Sequence, residues 1–373
     1  MRNEELLALI ETKNHHGDSV FAYNSLVEEA LKISKRCLSS DKPLIVVKEN
    51  NYMANRLKDI LVSYFEDDEI VSYLPEESLR SEEIATSFEN RAERLLALYR
   101  IITSKPKVIV TSPYGFIRHL PEREVLLNSI IHLKKDDILE REDLIEKLRK
   151  LGYEKTVHVE TPMTFAVRGY IVDVFSVNYP KPFRIEFFDD VIDSIRFFDI
   201  NTQRSEEVND EVTICFAKDV FFNDEEKEFL RENVELTSGE LELNMEYLLN
   251  DIFKQSSYFF YAYFKKEHLI DYLDADIYLS DKSKIDEHLK MLSEETIAYI
   301  QEMHEEKKLP LKFYVYEDFK RLLYNQYVIE GKPFIDPFTK IEEIDLPYGN
   351  LEYLLSLIEK DNSKYKIIAV DGK

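Results

Sequence analysis

The chain has 373 residues, more than a single hydrophobic core usually serves, so two or three domains are predicted. Its composition, 44% apolar and 33% charged, argues against an intrinsically disordered protein. The formal net charge of −24, without a local cluster of Lys or Arg, argues against a chain that grips nucleic acid by itself, although good solubility explains the same charge.

Metal content and compartment follow from a few further features. Cys37 and Cys215 are too few for a structural zinc site, which needs four ligands, and the histidines form no HxxxH or HExxH pattern. The charged start has no signal peptide after it, and the longest apolar run, residues 258–264, is too short to cross a bilayer. We therefore expect a cytoplasmic protein.

The first third of the chain alternates between strand and helix patterns. Short apolar runs occupy residues 19–22, 43–47 and 108–110, and the last two are typical of buried parallel strands. Apolar residues recur at helical spacing in residues 26–37, 53–61 and 87–104. This alternation predicts an α/β fold with a parallel sheet.

The pattern changes after the turn signal at residues 112–115. Residues 141–151 are predicted to form a helix, for which Gly152 is a plausible cap. Extended segments follow at residues 165–175, 183–188 and 191–198, and Asp189-Asp190 has the composition of a hairpin turn. A small α+β unit therefore interrupts the α/β layout.

Beyond Arg204 the chain becomes helical and acidic. Helices are predicted at residues 224–233, 240–253, 283–307 and 350–359. Strands are predicted at residues 258–261, 277–279 and 366–370. Because the last of these strands stands three residues before the end, the sequence suggests a piece of a longer protein.

Several stretches of the chain point to one family. They are residues 93–100 and 108–112 with Leu120-Pro121, then 148–155, 165–169, 171–175, 184–199, 202–205 and, more weakly, 351–358. In this order they resemble the N-terminal UvrB-homology module of bacterial transcription-repair coupling factors (Mfd). The resemblance is most specific over residues 140–205. The helix at 93–100 and the Thr202-Gln203-Arg204-Ser205 ending favour this family over UvrB itself.

The resemblance implies a fold as well. It is an α/β fold of RecA-like (P-loop-type, degenerate) half-domains with an inserted small α+β domain, as in the UvrB-like module. Residues 1–117 would form the first half of the RecA-like domain, and residues 118–204 the inserted, UvrA-binding domain. Residues 205–362 would form the second half, and residues 363–373 the start of a further domain.

UvrB carries a working P-loop at its first strand–helix turn, and the resemblance implies that this module has lost it. The corresponding turn, residues 21–26, has neither glycines to present N–H groups to phosphates nor a Lys to reach them. Gly331-Lys332 is followed by Pro333 instead of the Ser or Thr that binds Mg²⁺, so chance explains that pair. We expect no catalytic residue, metal or cofactor in this chain. In the family, ATP and Mg²⁺ serve motor domains further along.

The segment at residues 183–188 is the best candidate site. Strand alternation places Arg184, Glu186 and Phe188 on one face and three apolar residues on the other. An arginine beside a large aromatic on a solvent face has the composition of an interface anchor. A strand covered on both faces, with Arg184 in an internal salt bridge, explains the same pattern equally well.

The resemblance favours the interface, because in the family the positions that match Arg168, Arg184 and Phe188 contact UvrA. Arg196 is a weaker candidate for the same contact. Two residues depart from the family pattern: Tyr170 stands where a second glycine is usual, and Asp189 replaces the turn glycine. Both replacements affect the backbone conformation that the family pattern implies at the site.

The resemblance thus implies a non-catalytic, UvrA-recruiting module that links RNA polymerase stalled on damaged DNA to nucleotide excision repair. The expected partners are UvrA and, in the full-length protein, RNA polymerase and double-stranded DNA, with no membrane. The full-length parent is expected to be an ATP-dependent DNA translocase. Two alternatives stay open: a UvrB-like ATPase and damage-binding subunit, which the missing P-loop disfavours, and a nucleic-acid-binding module, which the charge disfavours.

Overall fold

The computed structural model of the chain describes residues 19–81 and 87–333, together with Ser356. Its strands are β1 (Val20–Tyr23), β2 (Leu44–Val47), β3 (Ile70–Tyr73), β4 (Val108–Thr111), β5 (Ile131–Lys134), β6 (Glu154–Lys155), β7 (Thr164–Arg168), β8 (Ile171–Phe175), β9 (Phe183–Phe188), β10 (Val191–Phe198), β11 (Ser205–Asn209), β12 (Glu211–Ile214), β13 (Asp276–Leu279) and β14 (Val328–Pro333).

The helices of these residues flank or connect the strands. They are α1 (Leu26–Leu38), α2 (Asn51–Leu61), α3 (Phe88–Thr103), α4 (Pro113–Ile117), α5 (Arg123–Asn128), α6 (Arg141–Lys150), α7 (Asp224–Asn233), α8 (Gly239–Leu249), α9 (Lys282–Glu305) and α10 (Phe319–Leu323), with 3₁₀ helices at Gln255–Tyr263 and Leu269–Asp271.

A six-stranded parallel sheet, in the order β1-β14-β13-β2-β4-β3, confirms the predicted α/β fold. Both faces of its central strands are covered, which explains why β2 and β4 are apolar at nearly every position. Leu44 and Val46 of β2 pack with α1 and α2, whereas Ile45 and Val47 pack in the main core with α3. The two faces therefore belong to two separate apolar clusters.

The helices of this unit begin where the sequence supplies caps. The side chains of Ser25, Asn50 and Ser87 each accept a hydrogen bond from the third backbone N–H of α1, α2 and α3 respectively. Such caps satisfy donors that a helix cannot pair internally. The helices predicted at residues 26–37, 53–61 and 87–104 are confirmed within a few residues.

A second six-stranded sheet, in the order β11-β10-β9-β8-β7-β6, lies in chain order between β4 and β13. Its pairs are antiparallel except for β6 with β7. Apolar residues of one face join side chains of α6 in the same main core that covers the parallel sheet. Because the apolar core is continuous, the division at residues 118 and 204 and the RecA-like assignment stay predictions.

One predicted strand is wrong. Residues 258–261 lie in the 3₁₀ helix Gln255–Tyr263. In a 3₁₀ helix, residues three apart share one side, and here Tyr258 and Tyr261 both direct their hydroxyls to backbone carbonyls, of Val315 and Phe221. The aromatic run is buried on all sides, and such a run has no periodicity to separate strand from helix.

Other differences are smaller. The predicted strand at residues 165–175 divides into β7 and β8, because Gly169 adopts a left-handed turn with φ of 58°. Sequence patterns missed β3, β14 and the short pair β5 and β12. The helix predicted at 350–359, the strand at 366–370, the matching stretch at 351–358 and the boundary at 362 lie outside the described segments, apart from Ser356.

Candidate functional site

The predicted site lies on the face of the antiparallel sheet that is turned away from the main core. Phe183, Ile185 and Phe187 of β9 are buried, as alternation predicts, and Phe188 projects outward with 73% of its surface exposed. Directly paired residues of antiparallel strands project on the same face. By this register, the outer face carries Arg168, Ile171, Asp173, Arg184, Glu186, Ser194 and Arg196 beside Phe188. All four predicted site residues therefore share one face.

Arg184 is held inside the chain. Its Nε donates to Oδ1 of Asp173 at 2.7 Å, and its Nη2 donates to Oδ2 at 2.9 Å. Asp173 is 1% exposed, and the guanidinium carbon of Arg184 lies 4.8 Å from the centre of the Phe198 ring. The hydrogen bond to Asp173 raises the pKa of Arg184. This is the internal salt bridge of the alternative interpretation, although the exposed Phe188 shows that the face is not covered throughout.

Arg168 and Arg196 are held more loosely. Arg168 is exposed, and its Nη2 donates to the Val157 carbonyl oxygen at 3.1 Å and contacts Nδ1 of His158. Arg196 has its Nη2 3.8 Å from a carboxylate oxygen of Glu186, at the limit of an ion pair. These two guanidiniums retain donors for a partner.

The two departures from the family pattern leave the turns intact. Asp189 adopts a left-handed conformation with φ of 51°, which short polar residues tolerate. Gly169 provides the left-handed residue of the β7–β8 turn, so Tyr170 needs no glycine and carries a ring that is 66% exposed. Phe187 donates its N–H to the Tyr170 carbonyl, so by the register Tyr170 stands opposite Phe187 and lies on the other face of the sheet from Phe188.

The first strand–helix turn, where a P-loop would lie, is closed by a buried cluster. Lys48 Nζ donates to Glu29 at 3.0 Å and to the Ser280 hydroxyl at 2.5 Å. Tyr278 donates its hydroxyl to Glu29 at 3.0 Å, and Tyr23 donates to the Ser280 carbonyl at 3.2 Å. Tyr23, Lys48 and Ser280 follow or end parallel strands at their carboxyl ends, where ligands bind in open α/β sheets. Protein side chains fill that place here. We name Tyr23, Glu29, Lys48, Tyr278 and Ser280 the closed cluster.

The Gly331-Lys332 pair has a packing role. Gly331 lies within β14 and pairs with Phe21 of β1. A Cβ at Gly331 would collide with the Ser280 carbonyl oxygen and the Tyr278 hydroxyl, so glycine permits the close approach of β14 to the end of β13. The dipeptide is part of a strand and not of a phosphate-binding loop.

Sequence reasoning missed a buried ion network that joins α3 to the segments that follow α4 and β12. Arg94 contacts Glu76 at 2.8 Å and Asp219 at 3.0 Å, and Arg118 contacts Asp219 at 3.3 Å. Burial raises the pKa of Asp219, but Arg94 and Arg118 outweigh it and hold that pKa below its ordinary value. A signal was available, because Arg94 stands at helical spacing with the buried Leu98 and Ile101. Asp173, inside the apolar strand β8, was a second such signal.

Comparisons with known proteins agree with this geometry. The family model of the UvrB interaction domain matches residues 131–220. The transcription-repair-coupling factor of Bacillus subtilis (strain 168) is 29% identical over 291 residues, which cover 72% of this chain and 25% of that protein. The factor of Staphylococcus aureus (strain bovine RF122 / ET3-1) is 28% identical over 360 residues, covering 88% of this chain and 30% of that protein.

The chain is a homologue of the transcription-repair-coupling factors. This confirms the resemblance to the UvrB-homology module of that family. The homologue spans between a quarter and a third of the length of these relatives. Its matched segment runs from β5 through β12, so Arg168, Arg184, Phe188 and Arg196 all lie within the UvrB interaction domain.

The described residues form neither a metal site nor a membrane span. Among residues 19–81 and 87–333, no three His, Cys, Asp or Glu side chains come together as a metal site would require. No helix in the same ranges is both long and apolar enough to cross a membrane.

Proposed function

We propose that this chain is a non-catalytic module that recruits UvrA and so links transcription to nucleotide excision repair. The observation that carries the proposal is Phe188, a large ring 73% exposed within a segment that matches the UvrB interaction domain. Exposed aromatic residues beside arginines are the usual anchors of protein interfaces. The names of the homologues, transcription-repair-coupling factors, support the same process.

The residues of the outer face have different roles in the proposed interface. Phe188 provides the apolar anchor, and Arg168 and Arg196 offer guanidinium donors to carboxylates of UvrA. Two donors of Arg184 are hydrogen-bonded to Asp173, so we assign Arg184 chiefly a structural role in the strand face. This assignment differs from the direct contact that the family resemblance implies for Arg184.

The closed cluster supports the non-catalytic part of the proposal. Glu29, Lys48 and Ser280 are buried and bonded to one another at the carboxyl ends of the parallel strands. A nucleotide phosphate there would have to displace the Glu29 carboxylate from Lys48. We therefore assign ATP and Mg²⁺ to the motor of the full-length protein, which would act on RNA polymerase and double-stranded DNA. A cytoplasmic location follows from a role on chromosomal DNA.

A titration of UvrA with this chain tests the proposal. Phe188→Ala is expected to cost about 1–4 kcal/mol of binding free energy, the range for interface anchors. The matched control is Tyr324→Ala, since Tyr324 is 75% exposed but lies outside the matched segment, and it should bind UvrA like the parent. If the parent chain binds no UvrA, or if folded Phe188→Ala binds as tightly as the parent, the proposal fails.

A further inference from the structure

One edge of the parallel sheet lies in a cleft. β3 is the last strand in the sheet order, and none of the described residues forms a strand on its far side. A cleft of about 420 Å³ runs along this edge, and Ile70, Val71, Ser72 and Leu74 of the β3 segment line it. An uncovered sheet edge presents backbone N–H and C=O groups to which another extended chain can pair.

Two helices form the walls of the cleft. α2 packs in the apolar cluster on one face of the sheet, and α3 packs in the main core on the other face. Each helix lines the cleft with residues three or four apart, which share one side of a helix. They are Asn51, Asn55 and Lys58 of α2, and Asn90, Glu93, Ala97 and Arg100 of α3. We name the space between these residues and β3 the edge cleft.

The backbone of β3 turns every second residue toward the edge cleft. The Glu69 carbonyl accepts a hydrogen bond from the N–H of Val108 at 3.0 Å, and the Tyr73 carbonyl accepts one from a side chain of β4 at 2.7 Å. Both carbonyls are therefore directed at β4. Because the backbone groups of successive residues point to opposite sides of a strand, those of Ile70 and Ser72 are directed away from β4.

Two basic side chains lie together at one end of the edge cleft. Lys58 and Arg100 each stand in the last turn of their helix. In strand–helix–strand connections the helix runs against the parallel strands, so both last turns lie near Ile70, at the amino end of β3. Helix ends of this polarity favour basic residues, but that preference does not bring two of them into one cleft.

The basic pair has no acidic partner within the part of the chain that the structure describes. This is unusual in a chain with a net charge of −24, in which a carboxylate is close to most basic residues. Glu93 lines the same cleft but stands seven residues, about two helical turns, before Arg100 in α3. A carboxylate supplied by another molecule would meet both cations at the Ile70 end.

We infer that the edge cleft binds an extended acidic segment of a partner protein, which adds to the six-stranded sheet beside β3. Its backbone pairs with Ile70 and Ser72, and its carboxylate contacts Lys58 and Arg100. β3 has four residues, which span about 13 Å at ~3.3 Å for each residue, so a segment of similar length fills the edge. The edge cleft lies outside residues 131–220 and does not depend on the proposed function.

The test uses the full 373-residue chain to select peptides from a phage-displayed library of random octapeptides. We expect the enriched peptides to carry Asp or Glu near one end of a segment without proline, because a proline lacks the N–H that strand pairing needs. A synthetic peptide of the enriched sequence is then added to the chain. It should slow the amide hydrogen exchange of Ile70 and Ser72, whose N–H groups are directed into the cleft.

Two variants locate the bound peptide. Lys58→Glu with Arg100→Glu reverses the charge of the cleft and should weaken peptide binding about 10-fold or more. Ser72→Pro removes an N–H that is directed away from β4, so it should block strand addition while the sheet stays folded. The matched control, Arg56→Glu with Lys105→Glu, makes the same charge change at exposed residues outside the cleft and should bind the peptide like the parent. Melting curves check that each variant folds.

Several outcomes would overturn the inference. One is a selection that enriches no acidic sequence, and another is equal peptide affinity in the charge-reversed variant and its control. Binding that leaves the exchange of Ile70 and Ser72 unchanged would rule out strand addition. If both amides already exchange slowly in the free chain, another part of this chain covers the edge. If the parent is a dimer and folded Ser72→Pro is a monomer, the occupant is a second copy. Should Ser72→Pro unfold, the charge-reversed variant decides the test.

Discussion

The closed cluster of the parallel sheet and the outer face of the antiparallel sheet both contain basic side chains, but these side chains have different roles in the two regions. In the closed cluster, Lys48 and Glu29 are buried and bonded to each other and to Ser280. On the same outer face, Arg168 and the partly exposed Arg196 retain donors for a partner, and Phe188 is exposed. Charged groups whose partners lie within the chain consolidate a fold, whereas charged groups on an open face can recognise another molecule.

Arg184 connects these two cases. It lies on the outer face by register, yet its side chain is only 15% exposed and its carboxylate partner is buried. Position on a face therefore does not decide whether a side chain is available to a partner. The predictions test whether a residue is of the closed kind, with its partners within the chain, or of the open kind, available to another molecule.

The largest effect is expected for Lys48→Met, which keeps the length of the side chain but removes its charge. The Glu29 carboxylate would stay buried without its ion partner, and breaking such a pair costs about 3–5 kcal/mol of unfolding free energy. Denaturant unfolding measures the loss, and UvrA affinity of the folded fraction should not change. Arg168→Ala is the open-face control and should lose less than about 0.5 kcal/mol. Equal stability of Lys48→Met and the parent would contradict the closed cluster.

Acid should lower the stability of the fold through His119, a buried side chain of the closed kind. Burial and the neighbouring His268 lower the pKa of His119 to about 4, while Glu317 acts in the opposite direction. The folded pKa lies below the unfolded value, so stability is complete above about pH 6.5 and falls as pH decreases toward 4. The loss across that window is about 3 kcal/mol, at ~1.4 kcal/mol for each pKa unit.

Unfolding free energies measured from pH 7 to pH 4 check this window. His119→Gln cannot titrate, so its stability should fall less than that of the parent by about the same 3 kcal/mol. Carboxylates titrate in the same range in both proteins, so the comparison between the two slopes isolates His119. Parallel slopes would show that His119 takes up its proton as readily in the folded protein as in the unfolded chain, which would contradict the lowered pKa.

Arg184→Ala should destabilise the fold by about 3 kcal/mol, because it leaves the Asp173 carboxylate buried and unpaired. UvrA affinity should fall as a consequence of the altered strand face. A second variant, Asp173→Leu with Arg184→Met, removes both charges and should recover much of the stability. If Arg184→Ala alone stays as stable as the parent and loses UvrA binding, Arg184 belongs to the open kind and contacts UvrA directly.

The contrast between the two regions also explains what sequence reasoning could reach. Apolar runs at β2 and β4 and the alternation of β9 depend on neighbours in the chain, so their strands were predictable. The pairing of Arg184 with Asp173 depends on the register of β8 against β9, and Lys48 meets Ser280 from 232 residues away. A local sequence pattern cannot predict a contact between residues that lie so far apart in the chain.

Local composition also misled in two places. β14 holds Gly331 and Pro333, residues that usually oppose a strand, and only its position between β1 and β13 makes it one. The aromatic run at Tyr258 has strand composition but forms a 3₁₀ helix, because its hydroxyls bind carbonyls on neighbouring segments. The four candidate site residues were predicted from the family resemblance together with alternation, whereas the burial of Arg184 could be seen only in the structure.

The smallest effect is expected from Mg-ATP, which should neither bind this chain with micromolar affinity nor raise its melting temperature. A ligand that binds only the folded state raises stability as its concentration exceeds Kd, and at 100-fold excess the gain is about 2.7 kcal/mol. At the first strand–helix turn several backbone N–H groups are already bonded within the chain: Asn24 donates to the Glu28 carboxylate, Glu28 to the Ser25 hydroxyl and Glu29 to the Ser25 carbonyl. These donors are therefore not presented together to a phosphate. Calorimetry and thermal melts of the parent and of Lys48→Met, each with Mg-ATP, test both forms. Micromolar binding by the parent would mean that the cluster opens, and the chain would then resemble an ATPase subunit more than a recruiting module.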